Sequence, residues 1–363
     1  MDTSKPKTLG DFEQFVATET SRKKKRILSA LRSGGTVVEL AASSDATENM
    51  VQGTIASLRE AHIIVLEHDG RFSIGTSMAP AFSSAEIHEY VSRKDNTFLF
   101  GALGDSHLGS KYERLDVTND LYDRYTQAGV DRVFHTGNWV DGERDFNRHE
   151  LLVHGIEPQL RYLAENYPQR KGLVTYAVTG EDHEGWWTRS EGIDIGKRAE
   201  QTMVENGRKD WVDLGFMEAH VRLINANSGK ESKLAVVHPG GGTAYALSYS
   251  VQKIIEALEG GEKPAVALYG HYHKLWAGNI RNVWVVCTGC GQDQTIFTRN
   301  KIKQEVHCGG TLVKLEQDPR TGAIISMMPQ LIRYFVREYY EGNDRWSRAK
   351  PVKLPGRSPN VSI

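Results

Sequence analysis

The chain repeats one pattern that strongly limits its fold: an apolar, β-prone segment ends in Gly, with Asp, Asn or His close by. The segments are TFLFGALGD, RVFHTG, LVTYAVTG, KLAVVHPG and AVALYGHYH, and helical patterns separate them near 115–129, 147–166, 194–206 and 244–258. Further strand candidates are VWVVCTGC and GTLVKLE. Strands that alternate with helices predict an α/β fold. Since open α/β sheets bind ligands at the carboxyl ends of their strands, we expect the polar residues to meet at one edge.

The polar residues at these strand ends have the chemistry of cation ligands. They are Asp105, His107, Asn138, Asp182, His183, Glu184, His238, His271 and His273. A single histidine after a strand is usually a satisfied core residue, but five such blocks in order are hard to explain that way. Imidazole and carboxylate together suit manganese, iron or zinc, whereas magnesium alone favours more oxygen ligands.

Taken together, the blocks resemble the calcineurin-like metallophosphoesterase family, whose pattern runs D-x-H, G-D-x-x-D, G-N-H-D/E, H and G-H-x-H. The matching blocks are DSHLGS, TGNWVDG, TGEDHEGWW, VVHPGGG and YGHYHK, within residues 97 to 317. DSHLGS followed by GVDRVFHTGN is most similar to the DNA-repair exonuclease branch. The resemblance implies an α/β (α+β) fold, a four-layer β sandwich flanked by helices. It also implies two divalent metal ions, manganese first, with iron, zinc or magnesium as alternatives.

The resemblance also implies roles for individual residues. One ion would be held by Asp105, His107 and His273, and the other by Asp182, His238 and His271. Asn138 occupies the position of the ligand that bridges both ions. In such a site, hydroxide generated between two metals attacks the phosphodiester and a histidine protonates the leaving oxygen. The resemblance gives that histidine role to His183, with Glu184 positioned to orient it, and counts Asp105 and Asn138 among the catalytic residues.

Two departures from the family pattern concern the bridging ligand. Asn138 stands where the family has Asp, and Asp182 stands where the family has Asn. This alignment keeps His183 and Glu184 in place, whereas the competing register would put Glu181 in the ligand position. An amide offers one oxygen and a donor NH2, so bridging should be weaker. Three explanations stay open: a natural exchange, an inactivating substitution of Asp by Asn, and a degenerate site.

Residues 1–82 have the pattern of a winged helix-turn-helix domain. SRKKKRILSALRSGG predicts a first helix, followed by a short helix near 39–43 and a longer one near 47–60. IIVLE and RFSIG flank His-Asp-Gly and predict the hairpin of a wing. The functional interpretation is DNA binding through the longer helix. The alternative is protein contact or dimerisation, because that helix carries only Arg59 as a cation.

The rest of the chain divides into three parts. SSAEIHEYVSRKDN, residues 83–96, predicts a linker helix, and residues 97–330 form the metallophosphoesterase domain. Residues 331–363 form a basic and aromatic tail, a composition suited to single-stranded nucleic acid. The alternative for this tail is a strap packed over the domain.

Composition limits the cellular setting. A net charge of −1 gives no global attraction to nucleic acid or membrane. No apolar run reaches the roughly 18 residues of a membrane helix, so we expect a cytoplasmic protein without membrane contact. The three cysteines, Cys287, Cys290 and Cys308, suit a reducing compartment. With His307 they also allow a zinc site as a minor alternative.

These features favour a metal-dependent phosphodiesterase that acts on nucleic acid, a DNA nuclease, with single- or double-stranded DNA as partner and a homodimer as a further possibility. One alternative is a phosphatase or phosphodiesterase on a small nucleotide or a phosphoprotein. The other is a DNA-binding regulator whose phosphoesterase domain is impaired.

Overall fold

The computed structural model describes residues 22–60, 65–68, 70–74, 88–242, 246, 248–259 and 263–335. The chain divides into two compact units, Met1–Ala81 and Phe82–Ile363. Among the described helices, none combines the length and apolar character needed to cross a membrane.

The first unit contains three described helices and a small sheet. Its elements are α1 (Arg22–Ser33), β1 (Gly35–Thr36), α2 (Val37–Ser44), α3 (Glu48–Glu60), β2 (Val65–His68) and β3 (Arg71–Ile74), with the sheet order β1-β3-β2. Thr36 and Glu39 form a capping box at the start of α2, and Asp45 ends α2 in the left-handed conformation. The apolar faces of the three helices meet around Ile27, Leu31 and Val51. The predicted helices are observed, while the assignment to the winged helix class stays a prediction.

The second unit contains twelve described strands and the helices that flank them. The strands are β4 (His88–Val91), β5 (Thr97–Leu103), β6 (Arg132–His135), β7 (Val174–Thr179), β8 (Trp211–Phe216), β9 (Glu218–Ile224), β10 (Glu231–Val237), β11 (Val266–Tyr269), β12 (Leu275–Ile280), β13 (Val283–Thr288), β14 (Gly309–Gln317) and β15 (Ile324–Arg333). The α-helices are α4 (Leu115–Gln127), α5 (Ile156–Asn166), α6 (Gly185–Glu191), α7 (Ile195–Glu205) and α8 (Tyr249–Ala257). A 3₁₀ turn at Arg148–Glu150 and a π turn at Thr298–Ile302 complete the set.

The strands form two six-stranded sheets. Their orders are β15-β14-β5-β6-β7-β8 and β12-β13-β11-β10-β9-β4. One apolar cluster lies between the two sheets and includes Phe98, Phe134 and Val236. A second cluster joins the first sheet to α4, α5 and α7, and a third joins the second sheet to α8. The unit is therefore a four-layer α/β sandwich, as the sequence predicts.

The residue pattern of β5 shows how the sequence builds these layers. Side chains alternate across a strand, so Phe98, Phe100 and Ala102 face the other sheet while Leu103 faces the helices. Gly101 lies on the helix side, where a Cβ would stand 2.7 Å from the Tyr125 ring. The small residue lets α4 pack closely on the sheet. This packing fixes the carboxyl end of β5, where Asp105 follows.

The predicted linker helix at 83–96 is wrong for its described part. His88–Val91 is a strand, β4, that pairs in parallel with β9. Pairing satisfies the backbone and lets Tyr90 enter the space between the sheets, where its hydroxyl donates to Leu99 O at 2.8 Å. Burial of this aromatic ring outweighs the local helical pattern. Residues 83–87 lie outside the described residues.

The predicted boundary at residue 331 also moves. Leu331 to Arg333 complete β15, in register with Thr311 to Gly309. Beyond the strand, Tyr334 N donates to Cys308 O at 2.8 Å, so the chain packs against the domain at this point. Residues 336–363 of the predicted tail lie outside the described residues.

The close approach at Gly101 generates the first prediction. Gly101→Ala should lower the free energy of unfolding by about 1–3 kcal/mol, because a methyl group must displace the buried Tyr125 ring. Urea denaturation measures this change. Gly242→Ala is the control, since its Cβ meets no described atom within 4 Å and should change stability by less than about 0.5 kcal/mol. Equal stability of both variants would contradict the packing role of Gly101.

Candidate metal centre

The polar residues predicted to meet do lie at one end of the sandwich. Loops after β5, β6 and β7 come from one sheet, and loops after β10 and β11 come from the other. These five strands run in parallel within their sheets, so their carboxyl ends share an edge. The two sheets are joined there by a bond between the hydroxyl groups of Thr136 and Thr288 at 2.7 Å.

The backbone at this edge is unusual. Asp105, His107, Asn138, His271 and His273 all have positive φ, between 46° and 71°. This left-handed conformation is unfavourable for residues with a Cβ. Residues that adopt it are concentrated at functional sites. The turns are held by backbone bonds between loops, such as Asp105 N to Gly137 O at 2.8 Å and His107 N to Asn138 O at 2.9 Å. The surrounding structure thus fixes side-chain directions that a free loop would not keep.

The structure brings together the two sets of three ligands that the resemblance implies. Asp105, His107 and His273 each offer a ligand atom, and these atoms lie within 4.8 Å of one another. Asp182, His238 and His271 form a second group that meets the same limit. Glu181, the alternative of the competing register, instead pairs with Arg189 at 2.7 Å.

The ring nitrogens of these histidines are oriented so that they can bind a metal ion. His107 Nδ1 lies 2.9 Å from the Asp141 carboxylate, His238 Nδ1 lies 2.7 Å from Thr136 O, and His271 Nε2 lies 2.6 Å from Gly241 O. Each acceptor requires the facing ring nitrogen to carry the hydrogen, so the other nitrogen presents a lone pair to its group. His238 Nε2 is buried and has no hydrogen-bond partner among the described residues. The residues present therefore fit divalent cations.

Asn138 lies between the two groups. Its Nδ2 is 3.4 Å from Asp105 Oδ1 and 3.3 Å from Asp182 Oδ1, so the amide faces one carboxylate of each group. Its Oδ1 is buried against Gly180, without a hydrogen-bond partner in the described part of the chain. As placed, the amide donates to two carboxylates that would otherwise repel each other.

The expected role of Glu184 as the residue that orients His183 is corrected by the structure. Glu184 is fully buried, and its Oε1 accepts hydrogen bonds from Asn138 N at 2.9 Å and Gly180 N at 2.7 Å. Burial raises the pKa of this carboxyl group to about 7. Glu184 precedes α6, so its side chain turns away from the His183 ring and holds the backbone of two loops.

Asp141 is the residue that contacts His183, although no role for Asp141 is predicted from the sequence. His183 Nδ1 lies 2.6 Å from Asp141 O and 3.3 Å from its Oδ1. Burial lowers the pKa of His183, but Asp182 and Asp141 outweigh burial and raise it to about 10. Asp141 also contacts His107, so one carboxylate orients two rings. The sequence signal for Asp141 is its place in TGNWVDG, three residues after Asn138.

The minor zinc alternative does not fit the structure. Cys287 packs with the α8 layer, whereas Cys308 packs with the cluster on the other face of the sandwich. All three thiols are free and buried, and burial raises their pKa. Thiols on opposite faces cannot share one ion.

A cavity opens beside the two groups. Its volume is about 440 Å³, and His107, Asp182, His183, His271 and His273 contribute to its wall. Trp187 is a core residue, while Trp186 is half-buried with the Arg144 guanidinium 4.2 Å from its ring centroid. The expectation that at least one of these two tryptophans is a core residue is confirmed.

The anchoring bonds of Glu184 generate a second prediction. Glu184→Ala should lower the free energy of unfolding by about 3 kcal/mol, because two buried N–H groups lose their acceptor. Glu184→Gln keeps an acceptor oxygen and should lower the free energy of unfolding by less than Glu184→Ala does. Glu181→Ala, three residues earlier in the chain, is the matched control, with an expected loss of free energy of unfolding below about 1 kcal/mol. Denaturant unfolding of the three variants checks this order, and equal losses at 181 and 184 would contradict it.

Comparison with known proteins gives similarity in structure only. No protein-family model matches the chain, and no curated protein matches it. Solved structures that are similar include an archaeal phosphodiesterase, with 12% identity, a TM-score of 0.34, and coverage of 65% of this chain and 100% of that one. Vps29 of Entamoeba histolytica in complex with zinc has 11% identity, a TM-score of 0.33, and coverage of 65% and 99%. A predicted phosphoesterase of Streptococcus pneumoniae has 15% identity, a TM-score of 0.29, and coverage of 65% and 98%.

Proposed function

We propose that the protein is a metal-dependent phosphodiesterase that acts on nucleic acid. The observation that carries this proposal is the meeting of two three-residue groups on either side of Asn138, at the wall of a cavity. Two divalent ions in such a site would polarise a phosphate ester and activate a water. Manganese is the first choice, since the groups mix imidazole with carboxylate.

The chain's own residues would position the substrate and move a proton. His183 lines the cavity, and its Nδ1 is engaged by Asp141. Only Nε2 remains to exchange a proton with a bound ester. We assign His183 as the general acid for the leaving oxygen and Asp141 as its positioning residue. His107, whose ring centroid is 4.3 Å from that of His183, would keep this acid next to the first ligand group.

The proposed nucleic-acid substrate also draws on the first unit. The exposed face of α3 carries Asn49 and Gln52, whose amides can read base edges. Lys23, Lys24 and Lys25 are exposed on α1 and supply charge for phosphate contacts. These features support DNA as the partner through a winged helix unit.

The test is hydrolysis of bis(p-nitrophenyl) phosphate and of labelled single- and double-stranded DNA by the full chain, with manganese and after chelation. We expect manganese-dependent cleavage of both substrate types. Cleavage by the chain as it stands would mean that Asn138 and Asp182 exchange roles in a working site. Cleavage only by Asn138→Asp would mean that the amide disables the site, and no cleavage by either protein with metal bound would refute the enzyme proposal.

Asn138→Asp also has an expected effect without turnover. Without metal, a third carboxylate would face Asp105 and Asp182 across about 3.3–3.4 Å, where the amide now donates. We expect Tm to fall by about 5 °C in chelator. In saturating manganese we expect Tm to rise above that of the unchanged protein, because carboxylate binds cations better than amide. Thermal unfolding in both conditions measures this, with exposed Asn300→Asp as control; a variant with the same Tm in both conditions would contradict the position given to residue 138.

The acid role of His183 predicts a dependence on the leaving group. His183→Ala should lower kcat by about 10²–10⁴ for esters with a poor alkoxide leaving group. The loss should be much smaller for p-nitrophenyl esters, whose leaving group needs no proton. Parallel kinetics on a dinucleotide and on bis(p-nitrophenyl) phosphate check this. Equal losses on both substrates would show that His183 acts on the structure of the site and not on the leaving oxygen.

A further inference from the structure

The cavity beside the ligand groups has one apolar side. Its volume of about 440 Å³ lies within the roughly 300–1,000 Å³ of small-molecule sites. Phe146, Phe297, Ile302 and Val306 line it away from the histidines. A phosphate group makes only polar contacts and would gain nothing from these side chains. The apolar wall therefore indicates that the ligand also has an apolar part.

Aromatic rings connect the proposed acid to this wall. The Phe146 ring lies edge-on to His183, with 5.9 Å between centroids, and Phe297 lies 5.3 Å from Phe146 at 42°. Phe297 remains 39% exposed. The exposed ring presents a face on which a planar group can stack.

Arg144 supplies a positive charge to the same cavity. It is the only Lys or Arg among the described residues that line it. Its guanidinium lies 4.2 Å from the Trp186 ring and 5.6 Å from the Phe146 ring. An oriented guanidinium of this kind matches a phosphate group.

Polar side chains at the wall match the edge of a nucleobase better than an acyl chain. Glu150 is 5% exposed, and its Oε1 lies 3.7 Å from His149 Nε2 without a hydrogen-bond partner among the described residues. Gln304 donates its Nε2 to Tyr272 O at 3.1 Å, which holds its amide in place at the wall. An exocyclic amino group of a base would satisfy a carboxyl oxygen such as that of Glu150.

We infer that this cavity binds a nucleoside phosphate. The phosphate faces the ligand groups and Arg144, and the base stacks on the wall formed by Phe146 and Phe297. The inference rests on the proposed phosphodiesterase function and deepens it, because a cavity of about 440 Å³ has room for one nucleotide. That nucleotide is either the end of a strand or part of a small free nucleotide, and both present the same chemistry.

Calorimetric binding to the full chain with manganese tests the inference without turnover. The probes are 2′-deoxyadenosine 5′-monophosphate and 2-deoxyribose 5-phosphate, in which a hydroxyl group replaces the base. We expect the nucleotide to bind about tenfold more tightly, a usual effect of stacking one base on an aromatic side chain. Equal affinities for the two probes would overturn the inference.

Matched variants locate the base. Phe297→Ala and Phe297→Leu should both remove most of the tenfold preference, since Leu keeps apolar volume but has no π face. Ile325→Ala, exposed on β15 and outside the cavity wall, should keep it. A preference that survives both changes at Phe297 would overturn the assigned position of the base.

The two sources of the nucleotide are separated by cleavage of a linear strand, a circular strand of the same composition and a dinucleotide. Cleavage of the linear but not the circular strand would support a strand end, and cleavage of the dinucleotide alone would support a small nucleotide. Equal cleavage of circular and linear strands would contradict the inference, because both inferred ligands, a strand end and a small free nucleotide, are absent from a circular strand. Base-dependent binding without any cleavage would refute the proposed function while leaving the binding site intact.

Discussion

The buried carboxylate of Asp105 is the constraint on which the rest of the second unit depends. The side chain is fully buried at the junction of the two sheets. A buried anion is costly unless it is surrounded by donors and cations. Its Oδ2 accepts from His271 N at 2.9 Å, in a loop of the opposite sheet, and its Oδ1 lies 3.4 Å from His273 Nε2. The loops after β5, β6 and β11 must therefore stay in contact for the fold to accept this charge.

Much of the fold and of the candidate site follows from the sequence, and the failures have physical causes. The strand ends were recognisable because a buried strand followed by Gly and a polar residue is a local signal, and parallel pairing then brings distant ends to one edge. The strands β8, β9, β12 and β15 were missed. Charged and apolar residues alternate along β9, with most of the apolar residues buried, and β8 reaches β9 through Met217 alone, at positive φ. β4 is a strand only because β9 is there to pair with it.

The partners of individual side chains could not be read from the sequence. His183 and Glu184 are adjacent just before α6 begins at Gly185, yet the His183 side chain faces the cavity and the Glu184 side chain faces the loops behind it. Asp141 is remote in sequence from His183 but reaches it from the loop after β6. Spacing in the chain predicts which residues meet at an edge. It does not predict which lone pair faces which hydrogen.

The left-handed residues of the candidate centre have a consequence for the energy of the whole domain. Five side chains stand at positions that glycine would occupy without strain. Each such residue costs about 1–2 kcal/mol, so the ligand loops are held against their own preference by the sheets beneath them. Selection for stability alone would favour glycine at these positions. The side chains present there therefore indicate that ligand binding at this edge outweighs the cost in backbone energy.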